Sequence, residues 1–112
     1  MKQNILFTLI LIVILSVGNL FAENYYIDAT NGNDANNGLS PNAAWKTLNK
    51  LNNSWSIIKP GDNILFKRGE VWRPSGISNA LIAPPNSGLH GTENARIIFG
   101  TYGEGAKPII SR

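Results

Sequence analysis

The sequence predicts an all-β protein with one short helix in its N-terminal half. Apolar runs recur around residues 25–27, 63–68, 71–73, 96–100 and 108–111, with no helix between the later ones. Gly, Pro and Asn clusters separate these runs at irregular intervals. The runs also lack strict alternation, which favours parallel strands packed against an apolar interior. A sandwich and a coil-by-coil solenoid both satisfy this pattern, and no fixed-length repeat separates them.

The first segment is set apart from the strands. Lys2 precedes an almost wholly apolar stretch, residues 5–17, broken only by Thr8 and Ser16; Gly18, Asn19 and Ala22 follow, then Glu23. This is secretory signal architecture, with cleavage expected after Ala22. Residues 1–22 are therefore expected to be a signal peptide that sends the chain to the periplasm, cell surface or medium. The apolar core is shorter than the roughly 20 residues of a spanning helix. An uncleaved N-terminal membrane anchor is the alternative, and the membrane enters the reading only through this segment. The absence of cysteine excludes a lipid anchor on Cys and any disulfide.

Residues 23–112 are enough for one small domain. The formal charge of the chain is +3, and Lys67-Arg68 is its only adjacent basic pair. A nucleic-acid footprint needs a clustered basic stripe, so nucleic acid is not an expected partner. The mild excess is compatible with an acidic glycan.

Residues 23–58 read as an N-terminal cap. Tyr25-Tyr26-Ile27 is a β-prone run. An Asn/Asp/Gly loop follows, in which Gly32 and Gly38 can take positive φ and Asn and Asp close their own turns. Asp28, Asp34 and Asn36 offer oxygen ligands for a possible Ca²⁺ ion. The EF-hand spacing is not met, because Gly38 falls where a ligand is due; turn oxygens satisfied by backbone are the alternative. A short helix comes next, with two possible starts. Ser40 is one N-cap, with Pro41 at the first helical position. Thr47 is the other, capping a shorter helix to about Asn53. Either way Trp45, Leu48, Leu51 and Trp55 share a face. Trp45 and Trp55 are expected in the core, with a sugar-stacking platform as the alternative.

Residues 59–112 carry the strands. Lys59-Pro60-Gly61-Asp62 is a turn. It opens a strand from Asn63 in which Ile64 and Phe66 face one way and Leu65 and Lys67 the other. Val71-Trp72-Arg73 resumes after Gly69 and stops at Pro74. Residues 79–83 are a further apolar run, and residues 84–91 form a long loop. Arg96-Ile97-Ile98-Phe99-Gly100 is the clearest second strand, and Pro108-Ile109-Ile110-Ser111 starts a third. Lys67, Arg68 and Arg73 are the basic candidates for substrate binding, against a solvated strand face. Asp62 reads as a turn carboxylate, Glu70 flanks the same strand, and His90 is an isolated loop residue. No nucleophile motif, phosphate loop or metal-spaced His/Cys set is present, so no catalytic residue is assigned.

Tyr26-Ile27-Asp28, Asn31-Gly32-Asn33-Asp34, Asn37-Gly38-Leu39-Ser40-Pro41 and Ala44-Trp45-Lys46-Thr47-Leu48 together resemble the N-terminal cap of the right-handed parallel β-helix (pectate-lyase-like) superfamily. Pro60-Gly61-Asp62-Asn63-Ile64-Leu65-Phe66 resembles its first coil, and the stretch from Arg96 to Ile110 its second. The resemblance implies a secreted β-helix that binds or degrades extracellular polysaccharide. Lyase chemistry on an acidic glycan is the leading expectation. Glycoside hydrolysis and a non-catalytic surface, adhesion or carbohydrate-binding protein are the alternatives. It also implies further C-terminal coils, or a partner, to cover an open solenoid end, with the catalytic groups on those coils.

Overall fold

The computed structural model describes residues 21–73, 82–84 and 96–111. Among them lie five strands, all paired in parallel: β1 (Asn24–Ile27), β2 (Asn63–Lys67), β3 (Val71–Trp72), β4 (Ile98–Tyr102) and β5 (Ile109–Ile110). β1, β2 and β4 form one sheet in that order, and β3 pairs with β5 in a second. The protein is thus mostly β with little helix, as its Gly- and Pro-punctuated apolar runs predict.

The solenoid expectation is corrected here. A β-helix needs coil after coil, each adding a strand to every sheet. The described residues show two short sheets, of three and two strands, and no wound solenoid. The apolar run at 79–83 lies outside the described residues except for Ile82 and Ala83. So does the loop at 84–91, His90 included, except for Pro84, and so do the first 20 residues of the expected signal peptide. No helix among the described residues is long and apolar enough to cross a membrane.

The outer edge of β1 is covered by the loop that follows it. Tyr26 donates its N–H to the Gly38 carbonyl at 2.7 Å, and its own carbonyl accepts from Trp45 N–H at 2.9 Å. Asp28 N–H then reaches the Trp45 carbonyl at 2.8 Å, and Ile27 and Trp45 form an isolated parallel bridge. A bare edge would offer unpaired backbone groups to other chains, and this loop removes it.

Of the two predicted helix starts, Thr47 is the one that caps the helix, and Ser40 gives only a short turn with no side-chain capping bond. Ser40 precedes a 3₁₀ turn, Pro41–Ala43, with proline at its start. Thr47 caps the helix α1 (Leu48–Asn52), its hydroxyl accepting from Lys50 N–H at 3.1 Å. Ala44 is extended and divides the two.

The turn before β2 is as predicted. Asp62 N–H closes onto the Lys59 carbonyl at 3.0 Å, and Gly61 sits at φ 95°, the left-handed region that a type II turn requires after proline. Asp62 is 1% exposed. Its two oxygens accept from Lys59 N–H at 2.8 Å and Glu23 N–H at 2.9 Å, so one carboxylate joins the turn to the start of β1.

Tyr25 and Ile27 of β1, Ile64 and Phe66 of β2, and Trp72 of β3 are buried together with Trp45, Leu48, Leu51, Trp55 and Ile58. Trp45 stacks on Tyr25 with centroids 5.2 Å apart, and Phe66 meets Trp72 edge to face at 5.3 Å. β4 begins two residues later than its sequence suggests and runs through Gly100 rather than stopping there. Gly100 lies opposite Leu65, where a Cβ would come within 3.1 Å of the leucine side chain. The strand register, and not the apolar run alone, sets the limits of β4.

Candidate functional site

The opposite face of the main sheet carries polar and aromatic groups. Register places Tyr26 beside Leu65 and Gly100, and Lys67 beside Tyr102. Tyr26 and Tyr102 meet edge to face at 5.0 Å. At the end of β1, Asp28 Oδ2 forms an ion pair with Lys67 Nζ at 3.2 Å. Its Oδ1 accepts from Thr30 N–H and Asn31 N–H, both at 3.0 Å. The Thr30 hydroxyl donates to Glu70 Oε2 at 2.8 Å. Asp28, Thr30, Lys67 and Glu70 are therefore one connected cluster, with the Tyr102 ring against it.

The electrostatics of this cluster favour fixed charges. Burial pushes the Asp28 carboxyl up, but the Asn31 N–H, the Lys67 ammonium and the Thr30 N–H outweigh it, and the group sits below its ordinary value. The Tyr102 hydroxyl is buried and has no hydrogen-bond partner among the described residues. Burial, followed by the nearby charges of Asp28 and Glu70, pushes it up to about 12. A phenol held that high is protonated at neutral pH and does not act as a base there.

Asp34 does a different job. Its Oδ1 accepts from Lys46 N–H at 2.8 Å and Thr47 N–H at 3.0 Å, and its Oδ2 from the Thr47 hydroxyl at 2.6 Å. The carboxylate thus orients the residue that caps α1. Asn36 holds Trp45: its carbonyl accepts from the indole N–H at 2.9 Å, and its side-chain amide donates to the Ala44 carbonyl at 3.0 Å. The three oxygen-bearing residues named for Ca²⁺ are each engaged in fixing the loop. No group of three or more His, Asp or Glu able to hold a metal occurs among the described residues.

Of the basic candidates, Lys67 is taken up by Asp28, and Arg68 reaches the Gly105 carbonyl with Nη1 at 3.4 Å. Arg73 lies elsewhere, on a cleft of about 320 Å³ between α1 and β3. Lys46 and Asn49 line the same cleft, over a floor that includes Leu48, Val71 and Trp72. The Trp72 indole donates to the Lys46 carbonyl at 3.0 Å and ties the two walls together. Trp45 and Trp55 are 1% and 8% exposed, so neither offers a face to a sugar.

Lys46, Thr30, Glu70 and Tyr102 were not singled out as site residues from the sequence. Thr30 meets Glu70 40 residues away and Lys46 meets Trp72 26 residues away, through tertiary contacts that no local pattern shows. Glu70 beside β2 was the sole hint.

A consequence for acid stability follows from Asp28 and Asp34. Burial pushes Asp34 up, but the Thr47 hydroxyl and the N–H groups of Lys46 and Thr47 outweigh it, so it too sits below its ordinary value. For a depressed carboxyl the stabilisation is complete above the ordinary aspartate value of 3.8 and is lost as pH falls through the lower folded value. Urea midpoints are expected to hold from pH 7 to about 5 and then fall towards pH 2. Asp34→Asn should flatten part of that fall, and an unchanged slope would contradict the assignment.

No protein-family model matches the chain. A lacto-N-biosidase of Bifidobacterium longum subsp. longum is 34% identical over 89 residues, which is 78% of this chain and 5% of that protein. Two crystal structures of the GH136 lacto-N-biosidase from Eubacterium ramulus, native and selenomethionine forms, superpose with a TM-score of 0.57 at 33% identity. Each match covers 77% of this chain and 12% of the solved one. The chain therefore spans a small part of the relatives it matches. These relatives are lacto-N-biosidases, and this finding overturns the resemblance to the pectate-lyase-like superfamily.

Proposed function

We propose that this chain is part of a carbohydrate-active protein of the glycoside-hydrolase kind. The observation that carries the reading is the match to the lacto-N-biosidase of E. ramulus, at 33% identity and a TM-score of 0.57 over 77% of the chain. Hydrolysis takes the place of the lyase chemistry expected from the sequence.

In this reading residues 23–58 cover the β1 edge of the main sheet, and residues 59–112 begin the body that carries the glycan site. Residues 1–22 direct export. The glycosidic bond is cleaved by a pair of carboxyl groups, which hydrolysis needs at separations of about 5–10 Å. Asp28 and Asp62 are committed to backbone N–H groups and hold the fold. The test is to incubate the protein that carries this chain with a chromogenic aryl lacto-N-bioside and, separately, with a uronate polysaccharide. Release of the aryl group, with no ultraviolet absorbance from an unsaturated uronate, is the expected result. An unsaturated product, or inertness towards both substrates, would overturn the reading.

A further inference from the structure

The cleft between α1 and β3 combines cations with an apolar floor. Two cationic side chains, Lys46 and Arg73, lie on it, and no carboxylate lines it. Among the described residues the one ion pair is Lys67 with Asp28, so neither of these cations is neutralised. Both belong to fixed backbone. Lys46 N–H is held by Asp34 Oδ1 and its carbonyl by the Trp72 indole, while Arg73 follows directly on β3. Between the cations the floor is apolar, with Val71 43% exposed and Leu48 and Trp72 beneath. Asn49 adds an amide that can both donate and accept. The volume, about 320 Å³, is at the small end of the range in which ligand sites fall.

We propose that this cleft binds a sugar residue carrying one negative charge, a carboxylate or a sulfate ester. Arg73 and Lys46 take the anionic group, the ring's apolar face rests on Val71, and Asn49 meets a ring hydroxyl. Arginine is suited to the first role because its planar fork matches a carboxylate or sulfate in two parallel hydrogen bonds. That the ligand is a sugar rests on the carbohydrate reading above; that it is an anion rests on the two unpaired cations alone.

The test is titration of the purified protein that carries this chain, by calorimetry at low salt, with four probes. These are a uronic-acid oligosaccharide, a sulfated oligosaccharide, a neutral oligosaccharide of the same length, and inorganic sulfate. The variants are Lys46→Ala, Arg73→Ala and the double substitution, with Lys107→Ala as a control. At least one charged oligosaccharide should bind more tightly than the neutral one, and which of the two does so identifies the anionic group. The double variant should weaken that binding about tenfold, the order expected of two exposed ion pairs, and Lys107→Ala should not. Thermal melts should be the same for all variants. Equal binding of neutral and charged oligosaccharides would overturn the inference and leave the carbohydrate reading standing. Inorganic sulfate binding as tightly as any sugar would overturn the sugar ligand. No binding of any probe would overturn the site, while the aryl-glycoside assay still decides the carbohydrate reading.

Discussion

Trp45→Ala is expected to lower stability by about 3–5 kcal/mol, the range for removing a fully buried large aromatic side chain. The substitution removes the stack on Tyr25, the indole hydrogen bond to the Asn36 carbonyl, and the surface over which Lys50 lies at 5.8 Å. It also leaves the Asn36 carbonyl without its donor, in a loop whose backbone has few other partners to offer. A domain of this size has roughly 5–15 kcal/mol in total, so the variant should approach the unfolding threshold at 37 °C. Denaturant midpoints and near-ultraviolet circular dichroism would show it. Trp45→Phe is the intermediate case: it keeps an aromatic ring against Tyr25 but loses the indole N–H and part of the packed ring, so its cost should be about 2–3 kcal/mol. Equal losses for the two variants would place the hydrogen bond, and not the packed ring, at the centre of the loop's stability.

Gly32→Ala should cost about 3 kcal/mol although it adds a single methyl group. A Cβ at this position would strike the carbonyl oxygens of both Trp45 and Asp28. Those are backbone atoms at the crossing where Asp28 N–H meets Trp45 and Gly32 N–H meets Asp28 at 3.0 Å, so no side chain can turn aside to make room. Gly69→Ala is the comparison. Gly69 has φ 80° but open space around its Cβ position, and should lose only the roughly 1–2 kcal/mol of a left-handed alanine. A Gly32 variant as stable as the Gly69 variant would mean that the loop and the Trp45 backbone are free to separate.

These two variants also mark what was legible beforehand. The Pro60-Gly61-Asp62 turn, β2 and the Thr47 cap were readable because each is fixed by residues within a few positions of one another. The burial of Trp45 was readable from the spacing of Trp45, Leu48, Leu51 and Trp55. Gly32 was read as a turn glycine able to take positive φ. Its φ is not positive, and what requires glycine is the close approach of the Trp45 carbonyl, 13 residues away, and of the Asp28 carbonyl. Asp34 was read either as a turn oxygen satisfied by backbone or as a Ca²⁺ ligand; its partners are the N–H groups of Lys46 and Thr47, 12 and 13 residues away. The same holds for the candidate sites. Arg73 was named from its charge alone, and its cleft is bounded by segments that the Trp72 indole joins to Lys46 across 26 residues. The pectate-lyase-like resemblance failed for a related reason: turns and short apolar strands are shared by many parallel-sheet proteins, and they say little about which one is present.

The register of the main sheet has a consequence in time. Asn24 pairs with Asn63, and Asn63 with Ile98, so neighbouring strands are separated by 39 and then 35 residues of chain. At about 5–20 residues per second of synthesis, β1 waits roughly 2–8 s for its partner to be made. During that interval the loop is the first hydrogen-bonding partner available to it, since Gly38 and Trp45 already lie within 21 residues of β1. The loop that shields the outer edge in the finished fold is thus also the nascent strand's first companion. It holds Tyr26 extended, and presents its opposite edge as a template on which β2 docks when it emerges.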